Sequence, residues 1–237
     1  MAHSKVEQPD YDRYNREERN ACAHLFRLLH EPTNNYHALR RFLGGNQDVA
    51  GFRIFTEVAL IRDAYYERKH SPNHFMDTLV SIIAQQERVS DCRLYSQLEP
   101  IELRTPNITH PRKILFKGAS WLSEKEHTVY KSVQGMFNAK PDLVICVGSQ
   151  LLVYEAKLTL GFDEEQLIRT RKIAAVWSLL LFSDLGFQDP PAVVIRKVGR
   201  EKINPDVSWE LVKQIAVETY PELDRSRRAL SQVAALD

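Results

Sequence analysis

Apolar positions Ala21, Leu25, Leu28 and Leu29 recur at spacings of three and four, so the chain reads as helical from about Asp12 to Glu31-Pro32. A second helix is predicted over residues 34–43, stopped by Gly44-Gly45, and a third over residues 50–68. A fourth follows Ser71-Pro72, with the serine as cap and the proline in the first turn. The first third of the chain is therefore expected to be almost entirely helical.

The pattern changes after about Asp91. Short β-prone pieces occur near residues 93–97, 113–117 and 128–133. Two stronger strands follow. Leu143-Val144-Ile145-Cys146-Val147 is an unbroken apolar run, Leu151-Leu152-Val153-Tyr154 is another, and Gly148-Ser149-Gln150 between them is turn chemistry. Runs that are apolar on both faces imply a sheet covered on both sides. A long helix is predicted over residues 163–184, with acids in its first turn, and Gly186 and Pro190-Pro191 end it. Ala192-Val193-Val194-Ile195 reads as a further buried strand, and helices over residues 209–219 and 222–235 follow. The economical reading is one α/β fold with a central mixed sheet flanked by helices. A helical N-terminal region, residues 1–90, packs on a core of residues 91–237 and is a natural place for oligomerisation or regulation.

Composition narrows the function classes. The chain has 237 residues, 43% hydrophobic and 27% charged, which is the balance of an ordinary globular protein. A net charge of +1 gives no global basic field, although a local basic cleft remains compatible with it. No apolar run reaches the roughly 18 residues of a membrane span, and the polar N-terminus lacks the apolar centre of a signal peptide. The 3 cysteines are widely spaced, and Cys22 and Cys146 lie in apolar stretches, so buried thiols and a cytoplasmic address are expected. The 8 histidines show no metal-ligand spacing; His70 and His74 are separated by Pro72.

Charge placement in the hairpin carries the chemistry. Reflection about Ser149 puts Asp142 opposite residue 156, beside Glu155 and Lys157, and alternation puts Glu155 and Lys157 on one face. Two carboxylates and an ammonium then converge at the end of a buried hairpin, where charge is costly unless paired or bound to metal. Asp142, Glu155 and the backbone carbonyl of Ala156 form an all-oxygen set for a hard divalent cation, Mg²⁺, with Mn²⁺ as a substitute. Such a site suits phosphodiester hydrolysis, with Lys157 positioning the nucleophile or stabilising the transition state.

Pro141-Asp142 followed by Glu155-Ala156-Lys157 resembles the signature of the PD-(D/E)xK, or restriction-endonuclease-like, nuclease superfamily. The order strand, turn, strand, helix, strand over residues 112–200 resembles that family's core. The resemblance implies a metal-dependent DNA endonuclease, with RNA cleavage as a variant and restriction or anti-phage defence as a context by analogy. It also implies a homodimer or higher assembly, since a double-strand cut needs two sites, and leaves room for an activating partner or ligand. A catalytically silent binding or assembly module of the same fold, and an accidental match in a structural α/β protein, are the other readings.

In that family a further acid comes from a helix before the core. Glu57 shares a predicted helical face with Ile54 and Ile61, where pairing with Arg53 or Arg62 would explain it equally well; Glu18 starts a helix, and Glu17 is a weaker third choice. Gln166 resembles a glutamine that some branches carry on the following helix, but the tyrosine those branches add four residues on is Thr170 here. Gln166, Arg169 and Lys172 are candidate substrate contacts, as are Arg171, Arg196, Lys197, Arg200 and Lys202, with His110, Arg112, Lys113 and Lys117 extending the patch.

Overall fold

The structure is a computed structural model that describes residues 18–45, 48–68, 71–98, 122–158 and 161–220. Its helices are α1 (Glu18–Leu29), α2 (Thr33–Phe42), α3 (Leu60–Glu67), α4 (Pro72–Gln86), α5 (Glu124–Phe137), α6 (Glu164–Leu180) and α7 (Trp209–Thr219). The strands are β1 (Arg53–Phe55), β2 (Leu143–Val147), β3 (Gln150–Ala156), β4 (Ala192–Gly199) and β5 (Val207–Ser208). They form one mixed sheet in the order β1-β2-β3-β4-β5. The β1-β2 and β2-β3 pairs are antiparallel, and β3-β4 and β4-β5 are parallel. A parallel neighbour needs a crossover, and α6 supplies it between β3 and β4.

The apolar runs of the hairpin are buried on both faces, as their lack of alternation implied. Leu143, Ile145, Leu152 and Tyr154 pack with α1, α2 and α7, whereas Val144, Cys146, Leu151 and Val153 pack with α3, α4, α5 and α6. Helices therefore cover both faces of the sheet. Cys22 and Cys146 are buried and Cys92 is half-buried, all as free thiols. Burial pushes the Cys146 thiol up to about 12. Among the described residues no helix is long and apolar enough to cross a membrane.

Local chemistry accounts for several boundaries. Helix α2 ends in a Schellman motif, in which Gly45 N–H donates to the Arg40 carbonyl at 2.7 Å and Gly44 N–H to the Arg41 carbonyl at 3.2 Å. Gly44 has φ +95°, the conformation glycine adopts without a Cβ penalty. Proline starts α4 as expected, but Ser71 makes no side-chain cap bond. Between β2 and β3 the turn has two residues, because Gln150 already pairs with Val147. Gly148 takes φ +55°, as the first position of a II′ hairpin turn requires.

Three sequence-based expectations fail here. The helix predicted over residues 50–68 is divided: Arg53–Phe55 is strand β1, and the helix begins only at Leu60. Backbone pairing of Ile54 with Ile145 outweighs a helical spacing that a short apolar stretch mimics. The β-prone segment at 128–133 lies inside α5, because Ser123 and Glu126 form a capping box and Val129, Tyr130, Val133 and Phe137 bury one helical stripe. The segment near 93–97 contains a 3-10 turn, Tyr95–Gln97, around buried Tyr95. Residues 113–117, His110, Arg112 and the helix expected over 222–235 lie outside the described residues.

Glu126 ties α5 to the segment before it. Its carboxylate accepts from Arg93 Nε at 2.7 Å and Arg93 Nη2 at 3.1 Å, and from the N–H of Ser123 at 2.8 Å. The Arg93 hydrogen bonds, helped by those of Ser123, overcome burial and hold the carboxyl at about 2, against an ordinary value of 4.5. A lowered folded-state value means this stabilisation is complete above about 4.5 and is lost as pH falls through about 2. Glu126→Gln is expected to cost about 2 kcal/mol at neutral pH, allowing for the exposure of Arg93. Urea unfolding between pH 5 and pH 2 (about one acid titration range) should show a shallower pH dependence in the variant than in the parent; equal slopes would remove Glu126 from the acid response.

Candidate active site

Register brings the acids together. Leu143 pairs with Tyr154, so one step further the backbone places Asp142 opposite Glu155. The reflection centre lies between Gly148 and Ser149, one half-step from the sequence-based centre, which moves Asp142 from opposite Ala156 to opposite Glu155. Alternation sets both acids on the face covered by α3 to α6, continuing the Val144–Cys146 and Leu151–Val153 series. Lys157 follows Glu155 in that series and is half-buried.

Asp142 is fixed from two directions. Its carboxylate Oδ2 accepts from the Ala156 N–H at 2.8 Å, and its backbone carbonyl accepts from Thr56 Oγ1 at 2.6 Å. In an extended residue N–H and C=O point to the same edge, so the Ala156 carbonyl is directed toward the β2 side where Asp142 stands. Lys157 turns the other way. Its N–H donates to the Val198 carbonyl at 2.8 Å, and its carbonyl accepts from the Trp209 indole at 3.0 Å.

Glu155 is 8% exposed, and both carboxylate oxygens are held by α6. Gln166 Nε2 donates to Oε2 at 2.6 Å, and Thr170 Oγ1 donates to Oε1. Both partners are neutral, so they orient the carboxylate without cancelling its charge. Gln166 and Thr170 are four apart and share one helix face. Asp163 caps this helix by accepting from the Glu165 N–H at 2.9 Å, which sets where the face begins.

The backbone of Glu57 meets the residue before Asp142 by a route the sequence did not suggest. Glu57 lies in the turn after β1, at φ +54°, and its N–H donates to the Pro141 carbonyl at 3.0 Å. It is thus a neighbour of Pro141-Asp142 through backbone pairing and not through a helix face. Arg53 Nη1 donates to the Asp184 carbonyl at 2.6 Å, and Arg62 pairs with Asp63 at 3.5 Å. Glu18 is the first residue of α1, and its side chain lies outside the described residues, as does Glu17.

The candidate substrate contacts separate. Gln166 holds Glu155, which is a positioning role. Arg169 is exposed on α6, whereas Lys172 Nζ lies 3.0 Å from Glu87 in an ion pair with the end of α4. On β4, Lys197 stands in register with Glu155 and its ammonium lies 5.6 Å from the Phe162 ring centre. Arg200 is buried, with Nε and Nη2 lacking partners, and so is no surface cation. Thr56 and Thr170 were not recognised as supports of the two acids. The four-residue spacing from Gln166 was a readable signal for Thr170, whereas Thr56 gave none.

The donor set fits a hard divalent cation. Like charges directly opposite on neighbouring strands repel, and a cation between them removes the repulsion. Two carboxylates and one carbonyl suit Mg²⁺, which keeps several of its waters. Among the described residues no group of three or more His, Cys, Asp or Glu side chains is placed to hold a metal ion. No protein-family model, curated protein or solved structure matches the chain.

Proposed function

We propose that this chain is a metal-dependent DNA endonuclease of the restriction-endonuclease-like, PD-(D/E)xK kind, with Asp142, Glu155 and Lys157 at its active centre. The observation that carries this reading is the direct opposition of Asp142 and Glu155 at the end of the β2-β3 hairpin, with Lys157 next on the same face. The succession β2, turn, β3, α6, β4 supports it, because the crossover helix returns to hold Glu155.

Mg²⁺, or Mn²⁺ in its place, held by Asp142, Glu155 and the Ala156 carbonyl, supplies water activation and charge neutralisation at the phosphate. Thr56 and the Ala156 N–H fix Asp142, while Gln166 and Thr170 fix Glu155, so neither acid needs to reorganise. Lys157 brings its ammonium to the phosphate oxygens. Glu57 is the further acid of this reading, and Lys197 and Arg169 are its contacts with the nucleic-acid backbone. Double-strand cleavage requires two such sites, hence a homodimer or higher assembly.

Plasmid cleavage by the purified chain with Mg²⁺, against EDTA and Glu155→Ala, tests the reading. Cutting should require both the metal and Glu155. One observation favours a silent, nuclease-fold binding module instead: both oxygens of Glu155 are already engaged by α6. Calorimetric titration with Mn²⁺ separates the two. Intact plasmid together with absent metal binding would defeat the nuclease and leave the binding module.

A further inference from the structure

A cavity lies away from the acids, between α1, α2 and the entry to β1. It has a volume of about 560 Å³, within the range of small-molecule sites. One wall is aromatic. The Tyr36 and Phe52 rings meet edge-to-face at 4.8 Å, and His30 lies 5.8 Å from Phe52. The polar lining is of mixed charge, with Arg40, Asp48 and Asn35. His30 Nδ1 lies 3.0 Å from the Phe26 carbonyl and donates to it, which leaves Nε2 an acceptor in the neutral ring.

The backbone at this wall is held in an unusual state. Asn34, Asn35 and Tyr36 take φ values of +52°, +55° and +57°, a left-handed turn at the start of α2. Asparagine tolerates this conformation; tyrosine does so at a cost. Arg40 Nε donates to the Asn35 carbonyl at 3.0 Å and secures the turn. Helix formation through these residues would need right-handed dihedrals, so the left-handed turn sets where the Tyr36 ring meets Phe52. Strain of this kind concentrates at ligand clamps.

We infer that this cavity is a binding site for a single nucleotide, a planar heteroaromatic ring carrying an anionic group. The rings of Tyr36 and Phe52 offer stacking and edge contacts to a base, Asp48 and the His30 Nε2 accept from its amino groups, and Arg40 faces the phosphate. The ligand is not the polymer being cut. Phe52 precedes β1, and Glu57 follows its other end, so the cavity and the acids sit at opposite ends of that strand. The far end of β1 leads to Thr56, which holds the Asp142 carbonyl, so the occupant is placed to act as an effector.

The test is isothermal titration of AMP, GMP, CMP and UMP into the full chain carrying Glu155→Gln, without divalent metal. Binding is then read apart from any event at the acids, and stands or falls independently of the nuclease reading. At least one nucleotide should bind with one site per chain. Tyr36→Ala and Arg40→Gln should each weaken it at least about tenfold, the loss that accompanies one stack or one charged contact. Lys131→Ala, exposed on α5, should leave it unchanged. Tyr36→Phe, which keeps the ring, should retain binding and guards against misfolding of the alanine variant. No heat with any nucleotide up to about 5 mM, a range that includes the weakest specific sites, would overturn the inference, as would equal binding by Tyr36→Ala and Arg40→Gln.

Discussion

Lys157→Ala is expected to reduce cleavage by about a hundred- to a thousand-fold, the loss seen when one preorganised electrostatic contact to a transition state is removed. Its melting temperature should stay within about 2 °C of the parent, a shift below 1 kcal/mol for a chain of this size. The two effects separate because the backbone of residue 157 makes two hydrogen bonds that tie it into the fold. The N–H is held by Val198 and the carbonyl by Trp209, and both bonds survive loss of the side chain. Mn²⁺ binding should also persist, since an ammonium is no metal ligand. Single-turnover cleavage with calorimetric melting makes the comparison. A large fall in melting temperature with unchanged cleavage would identify Lys157 as a structural lysine and defeat its assigned role. Lys157→Arg should recover little, because a broad planar guanidinium does not reproduce a compact ammonium.

The second large effect concerns the support beneath that lysine. Trp209→Ala should cost about 3–5 kcal/mol, the range for emptying a buried aromatic site. Trp209 is 1% exposed, begins α7 and packs in the cluster that includes Tyr154, Ala156 and Val198. For a chain of this length that loss lowers the melting temperature by roughly 6–20 °C. Trp209→Phe isolates the indole N–H: it retains most of the ring volume and leaves the Lys157 carbonyl without its donor. Trp177 is the control. It is 2% exposed in the opposite cluster, and its indole nitrogen has no hydrogen-bond partner. Trp177→Phe should therefore cost less than Trp209→Phe, because it removes an unsatisfied donor and not a used one. Urea unfolding of the pair measures the difference. Equal costs would show that ring volume alone accounts for Trp209.

The ingredients of the site were legible because the hairpin is a local structure. Two apolar runs and a glycine turn fix which residues face each other, and Asp142, Glu155 and Lys157 follow by counting. The half-step error in the turn mattered to the cluster: opposite residues share a face, so Asp142 opposite Ala156 would point away from Glu155 and Lys157, and the observed register turns it to their face. Gln166 was found by its place on the next helix, although its duty is to hold Glu155. Lys172 was assigned from charge alone, and charge gave no hint that Glu87 on α4 engages it.

By itself, the sequence determined the elements whose hydrogen bonds and burial are set within a short span: the hairpin, the capped helices α6 and α7, the Schellman end of α2, and a sheet covered on both faces. For these, periodicity and caps act on neighbours, so the chain carries its own instructions. Tertiary structure alone decided β1, which has only three residues and exists because β2 offers an open edge to Arg53–Phe55. The same pairing placed Glu57 beside Pro141, seated Thr56 on Asp142, and opened the aromatic cavity at the other end of the strand. Contacts between residues some ninety positions apart (about the span from β1 to β2) depend on how the whole sheet assembles, and no local pattern of apolar and polar residues encodes them.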